Sequence, residues 1–311
     1  MTGRFAPSPS GRMHLGNLYS ALLSWLSARS QGGRWILRIE DLDPQRCKRE
    51  YAVQLEDDLH WLGLEWDEGG IDQPEYVQSQ RGAIYEEHLR KLQQADLTYP
   101  CYCSRADIMA TQAPHESDGR VVYQGTCRPD GTTGKASLIA QRAAACPHAP
   151  ATRLIVPDRS ISFIDGHYGP QSVNLTHECG DFILRRADRA WAYQLAVVVD
   201  DALMGVTEVV RGRDLLLSVP QQLYLYEILG YHAPRFVHLP LLCNEKGQRL
   251  CKRDQSLHMG VLRTQYTAPQ LLGLIAHYAN LIPQPEPVSL DQLISLFDWE
   301  KIPTEDILVN N

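Results

Sequence analysis

Gly3-Arg4-Phe5-Ala6-Pro7-Ser8-Pro9-Ser10-Gly11-Arg12-Met13-His14-Leu15-Gly16-Asn17 holds more information than any other part of this chain. Residues 2–6 read as a short strand, and the Pro/Ser/Gly run after them cannot continue it. Leu18, Ala21, Leu22, Trp25 and Leu26 then recur at helical spacing, predicting a helix over about 17–31 with one buried face. Gly32-Gly33 ends it, and residues 34–40, Arg-Trp-Ile-Leu-Arg-Ile-Glu, read as the next strand. Strand, loop, helix, strand implies a parallel sheet. In such sheets ligands gather beyond the strand ends, beside helix N-termini whose free N–H groups attract phosphate. Arg4 offers a cation there, Gly16 lets the backbone approach a ligand, and His14 can donate to phosphate oxygens.

Working outward, 311 residues with 44% apolar and 22% charged side chains match a soluble globular protein of one large or two ordinary domains. No apolar run approaches the ~20 residues needed to span a bilayer. The N-terminus carries no hydrophobic signal core, so a cytoplasmic protein without a membrane partner is expected. Eight cysteines in such a chain are expected to be reduced thiols, some of them metal ligands, and not a disulfide framework. A net charge of −7 excludes a globally basic nucleic-acid binder but leaves room for local Arg and Lys patches.

Further helices are predicted over 49–62, with Val53, Leu55, Leu59 and Leu62 inward, and over 80–95. From Tyr99 to about Arg189 the pattern changes to Cys, Gly, Pro and short strands such as 153–156 and 161–165, the composition of an inserted domain. An α/β pattern resumes at 192–201, followed by a strand at 206–211 and helical sequence over 215–229. Helical segments at 268–280 and 291–297 close the chain.

Five stretches carry a family resemblance: residues 4–11, His14-Leu15-Gly16-Asn17, Arg38-Ile39-Glu40-Asp41-Leu42-Asp43, Val199-Asp200-Asp201 with residues 205–212, and Arg249-Leu250-Cys251-Lys252-Arg253. Together they resemble class I aminoacyl-tRNA synthetases of the glutamyl branch, from Gly3 to about Arg253. His14 to Asn17 stands for the HIGH signature and residues 249–253 for KMSKS. The resemblance implies an α/β fold: a Rossmann-type parallel sheet formed by 1–98 and 192–242, an inserted acceptor-type, zinc-bearing subdomain at 99–191, and a KMSKS-type loop with a short helical region at 243–311. It implies activation of L-glutamate by ATP with Mg²⁺, the α-carboxylate attacking the α-phosphorus.

The residue types suit that substrate independently, because glutamate carries two carboxylates and one ammonium. Arg4 and Arg211 can each grip a carboxylate bidentately, Glu40 can hold the ammonium, and Ser8 and Tyr193 can add hydrogen bonds, with Phe5, Ala6 and Pro7 in the same loop wall. The substrate is the nucleophile, so the protein needs only to align reactants and neutralise phosphate charge. His14 and Lys252 take that catalytic role, and His14, Gly16, Asn17 and Lys252 bind ATP. Cys251 replaces the usual Ser of the loop, and Val197 stands where glutamyl enzymes commonly carry Asn.

In the inserted segment, Cys101-Tyr102-Cys103 and Cys127 can supply part of a tetrahedral zinc site. The resemblance adds Tyr123, four residues before Cys127, as a fourth ligand, with His115 as its competitor. Cys146 with His148 reads as incidental. About sixty residues follow Lys252, too few for the helical domains that read an anticodon. That combination resembles the glutamyl-queuosine tRNA(Asp) synthetases, truncated paralogues that attach glutamate to the cyclopentene ring of the modified wobble base, and a monomer is expected. Arg105, Arg120 and Arg128 are candidates for contact with the anticodon stem-loop. Two alternatives are a synthetase-like tRNA or amino-acid binding protein weakened by Cys251, and a truncated conventional glutamyl enzyme.

Overall fold

A computed structural model describes residues 1–104, 122–147, 149–250 and 257–309. β1 (Thr2–Phe5), α1 (Leu15–Ser30) and β2 (Arg34–Leu37) form the N-terminal unit, the strands parallel with Arg4 in register with Ile36. After α2 (Arg49–Leu62), β3 (Glu68–Gly69) extends this ladder beyond β2. α3 (Gly82–Gln94) leads to β4 (Thr98–Cys101), and α4 (Thr133–Ala145) precedes β5 (Ala151–Leu154), the antiparallel partner of β4. β6 (Ser160–Asp165) and β7 (Gly169–Asn174) make a hairpin, and β8 (Phe182–Arg185) pairs back onto β5.

The parallel pattern then returns. α5 (Tyr193–Leu203), β9 (Glu208–Gly212), α6 (Val219–Leu229) and β10 (Arg235–Leu239) follow one another, with His238 in register with Arg211. Thr207 donates its N–H to the Thr2 carbonyl at 2.9 Å, which lays the start of β9 beside β1. β11 (Leu242–Cys243), α7 (Met259–Gln265), α8 (Ala268–Tyr278), α9 (Leu290–Leu296) and β12 (Ile307–Leu308) complete the described chain, β12 parallel to β11.

Side chains alternate across the sheet, so each strand feeds two cores. Trp35, Leu37 and Val210 pack with α1, α2 and the C-terminal helices, whereas Ile36 and Val209 pack with α3, α5 and α6. α1 departs from the single buried face expected of it. Leu18, Ala21, Leu22, Leu23, Leu26 and Ala28 are all buried, because α8 and α9 cover the side turned away from the sheet. Val53 is half exposed on α2, and Ala52 takes the inward position instead. α4 and β10 carry no periodic signal strong enough to have been expected. Among the described residues the cysteines are free thiols, and no helix is long and apolar enough to cross a membrane.

Candidate functional site

The loop from Ala6 to His14 leaves the C-terminal end of β1 and enters α1 two residues earlier than the sequence suggests. His14 itself is the reason. It sits as N-cap with extended backbone, its Nδ1 accepts the Gly16 N–H at 3.1 Å, and the Asn17 Oδ1 accepts the His14 N–H at 3.1 Å. Accepting through Nδ1 fixes the neutral ring with its proton on Nε2. His14 is therefore a buried cap and not an exposed loop residue. A Cβ at position 16 would lie 3.1 Å from the His14 ring, so glycine there is what lets the ring lie over the helix end. Arg12 ties the loop down through a bidentate pair with the buried Asp58 of α2, at 2.8 and 3.2 Å.

One cavity of about 430 Å³ is lined by Arg4, Phe5, Ala6, Pro7, Ser8, His14, Gly16, Asn17, Glu40, Tyr193 and Arg211. Every described residue expected to bind glutamate or ATP thus faces a single space. Its two charged walls are built differently. On one side Arg38, wholly buried, bridges Asp201 at 2.6 Å and Glu40 at 3.2 Å, and Asp201 also meets the Arg4 Nε at 3.4 Å. Asp200 lies behind, bound by Arg81 at 2.6 Å, Gln78 at 2.8 Å and Tyr85 at 2.8 Å. Arg4, Arg38 and Arg81 thus balance Glu40, Asp200 and Asp201. Arg4 keeps donors to spare: its Nε has no hydrogen-bond partner, and Nη1 reaches only the Val210 carbonyl at 3.4 Å. Burial pushes the Glu40 carboxyl up against the pull of Arg38 and Arg4, a setting that an added cation would relieve.

On the other side stands Arg211, buried and paired with no carboxylate among the described residues. Neutral acceptors hold it: His238 Nε2 at 3.1 Å, the Tyr193 hydroxyl at 3.2 Å, the Leu215 carbonyl at 3.3 Å and Gln222 Oε1 at 2.9 Å. His238 can accept only as the neutral ring, and Asp165 enforces that form by taking its Nδ1–H at 2.6 Å. Burial lowers the His238 pKa, and Arg211 presses the same way. Four of the five guanidinium N–H groups are occupied, so Arg211 alone cannot fork a carboxylate as expected of it. The remaining Nη1 N–H and the Tyr193 O–H form a two-donor set instead. Burial also raises the Tyr193 pKa, keeping that phenol protonated.

Cys251, Lys252 and Arg253 lie outside the described residues, but both flanks of their loop are anchored at this cavity. Leu250 lines it and donates to the Leu242 carbonyl at 2.9 Å, while Arg249 pairs with Asp214 just after β9. On the far side, His258 bridges His14 and the Met259 N–H donates to the Met13 carbonyl at 2.9 Å.

A separate cluster gathers Cys101, Cys103 and Cys127, whose sulfurs lie within 4.8 Å of one another. The Tyr123 hydroxyl lies 3.5 Å from Cys101 Sγ and 3.7 Å from Cys103 Sγ, and accepts the Cys127 N–H at 2.7 Å. His115, Arg105, Arg120 and His148 are outside the described residues. Arg128 is half-buried, and its Nη1 donates to Asp181 at 3.1 Å and to the Val156 carbonyl at 3.2 Å.

Residues 1–275 match the family of class I tRNA synthetases (E and Q), catalytic domain. A glutamyl-Q tRNA(Asp) synthetase of Symbiobacterium thermophilum is 47% identical over 99% of this chain and 96% of its own length, and one of Nitratidesulfovibrio vulgaris is 44% identical over 98% and 94%. The chain belongs to the glutamyl-Q tRNA(Asp) synthetase family. A solved glutamate tRNA ligase from Elizabethkingia meningosepticum, in complex with its amino acid, shares 28% identity and a TM-score of 0.81, over 100% of this chain and 67% of that one. The protein is accordingly a ligase of the aminoacyl-tRNA synthetase type, with the class I catalytic fold and its parallel sheet.

The residues that sequence reasoning missed are those that act through others: Asp165, Gln222 and His238. His238 carries no spacing signal of its own. Only the strand register, which sets His238 beside Arg211, reveals it. Val197, on α5, is buried in the core and does not line the cavity.

Proposed function

We propose that this ligase activates glutamate with ATP and transfers it to the queuosine base at the wobble position of tRNA(Asp), in the cytoplasm. What carries the reading is the asymmetry of one cavity: a buried guanidinium without a carboxylate stands across from a buried carboxylate that burial has raised. Glutamate complements both, its carboxylates meeting Arg4 and the Arg211–Tyr193 pair and its ammonium meeting Glu40. The matched relatives named glutamyl-Q tRNA(Asp) synthetase favour this acceptor over a conventional glutamyl enzyme and over a binding protein.

In the first step an α-carboxylate oxygen attacks the α-phosphorus, the bond to the β-phosphate oxygen breaks, and pyrophosphate leaves with the electron pair. The amino acid is the nucleophile, so orientation and charge neutralisation do the catalytic work. His14 contributes its Nε2–H beside the N-terminus of α1, and Lys252 is the cation assigned to the phosphates. Mg²⁺ arriving with ATP would supply further neutralisation. In the second step a ring hydroxyl of queuosine attacks the acyl carbon and AMP departs.

Residues 99–191 are taken as the inserted subdomain, with Cys101, Cys103, Tyr123 and Cys127 holding one structural zinc. The donor set fits. Thiolates 2.3 Å from a tetrahedral ion would lie about 3.8 Å apart, close to the 3.5 Å between Cys103 and Cys127. Burial and the neighbouring thiols push Cys103 up to about 12, crowding that a dication offsets by taking thiolates. Metal analysis should find one zinc per chain, lost in Cys127→Ala.

The test of the acceptor is transfer of labelled glutamate to tRNA(Asp) with and without queuosine. Charging only of the modified RNA is expected. Equal charging of unmodified tRNA(Glu) would overturn the reading.

A further inference from the structure

Beside the glutamate and ATP cavity lies a second one, of about 410 Å³, and Ser8, Ser10, Glu40 and Tyr193 face both. A molecule in the second space therefore reaches the end of the first at which Glu40 stands, next to the carboxyl carbon of a glutamate held there. The phosphate end, at His14, Gly16 and Asn17, belongs to the first cavity alone. An acceptor hydroxyl has to come within ~3–3.5 Å of the acyl carbon from a side that AMP does not fill. The second cavity opens from that side.

Its remaining walls suit a nucleoside. Leu42, Asp43 and Arg46 come from the loop after β2, and Ile183, Arg186 and Trp191 from β8 and the turn into α5. Trp191 is held by the Arg185 guanidinium, 4.5 Å from its ring centroid, and by Tyr85 edge-on at 5.7 Å. An aromatic surface flanked by guanidinium groups is how proteins take an unstacked base and its neighbouring phosphates. Among the described residues Arg46 pairs with no carboxylate, and the Asp43 carboxylate pairs with no cation and accepts only the Gln45 N–H, at 3.1 Å. The Asp43 carboxylate thus stands at the rim without a counter-charge. Queuosine is a 7-deazaguanosine whose C7 carries a methylene and a secondary amine, protonated at neutral pH, that joins the base to a cyclopentenediol.

We propose that the second cavity is the acceptor site, with Trp191 the stacking surface for the purine and Asp43 the partner of the secondary ammonium. This rests on the acceptor reading given above. Anchoring the ammonium at Asp43 carries the adjoining diol toward Glu40 and Tyr193. A ring oxygen then bonds to the acyl carbon, the bond from that carbon to the phosphate oxygen breaks, AMP leaves with the electron pair, and the hydroxyl proton passes to water. A 3′-terminal ribose has no cation to offer Asp43.

The test separates the two half-reactions. Asp43→Asn, Trp191→Ala and Trp191→Phe are assayed for glutamate-dependent ATP–pyrophosphate exchange without RNA, and for transfer to an anticodon stem-loop of tRNA(Asp) carrying queuosine. Neither residue lines the first cavity, so exchange should change less than about twofold. Transfer kcat/KM should fall about tenfold for Asp43→Asn and roughly ten- to a hundredfold for Trp191→Ala, with Trp191→Phe recovering most of it. Variants that transfer as well as wild type, or that lose exchange and transfer in equal proportion, overturn the site alone. A wild-type protein that exchanges but charges no queuosine-containing stem-loop overturns the acceptor reading and this site with it.

Discussion

The two charged walls of the first cavity solve opposite problems. Around Arg38, every buried charge has its counter-charge in the protein, so the wall is complete without substrate. Around Arg211, the protein supplies only neutral acceptors and leaves the cation to be balanced from outside. The first arrangement holds the fold together, and the second is an unfinished ion pair that a carboxylate completes. Removing one member of a complete buried pair strands its partner, at a cost of about 3–5 kcal/mol. Removing an unbalanced cation costs the fold little and the ligand much.

That contrast can be broken by four measurements. Arg38→Met should show the largest effect, a stability loss of about 3–5 kcal/mol by denaturant unfolding, because Glu40 loses its ion-pair partner and Asp201 the nearer of its two. Arg211→Met should lower kcat/KM for glutamate in pyrophosphate exchange by roughly two to three orders of magnitude, while its stability stays within about 1 kcal/mol of wild type. If Arg211→Met unfolds the protein as Arg38→Met does, the distinction between the walls fails. His238→Ala should raise KM for glutamate about tenfold with kcat little changed, since Arg211 loses an acceptor that holds it in place. His238→Gln, which can accept from Arg211 and donate to Asp165, should restore most of that loss, and absence of rescue would count against a positioning role.

The smallest effect is one of pH. The folded-state pKa of His238 is depressed, so below about 6.5 the unfolded chain takes up the proton first. Wild-type stability should therefore decline as pH falls from about 6.5, and the decline should be shallower in His238→Gln. Asp165 is also depressed, hydrogen bonds from His238 and the Tyr168 and His167 N–H groups outweighing its burial, but its contribution is lost only in the carboxylate range.

The same contrast explains what could be read from the sequence. The βαβ unit was legible because Leu18, Leu22 and Trp25 keep helical spacing between two apolar strands, and Arg4, Glu40 and Tyr193, singled out for charges and donors that a glutamate would need, do line one cavity. The start of α1 was not, because His14 is a rare cap whose role depends on how its ring turns back onto Gly16. The bond from Arg38 to Asp201 and the one between His238 and Asp165 were not, because 163 and 73 residues separate the partners, and only the packed sheet brings them together. The all-round burial of α1 was hidden for a similar reason, since α8 and α9 arrive from the other end of the chain.

The most direct test of the account is glutamate-dependent ATP–pyrophosphate exchange by the purified protein without any RNA. An unfinished ion pair at Arg211, completed by the substrate alone, predicts robust exchange with glutamate and little with glutamine, whose amide cannot balance that cation. No exchange at saturating glutamate and ATP, or equal exchange with glutamine, would contradict it.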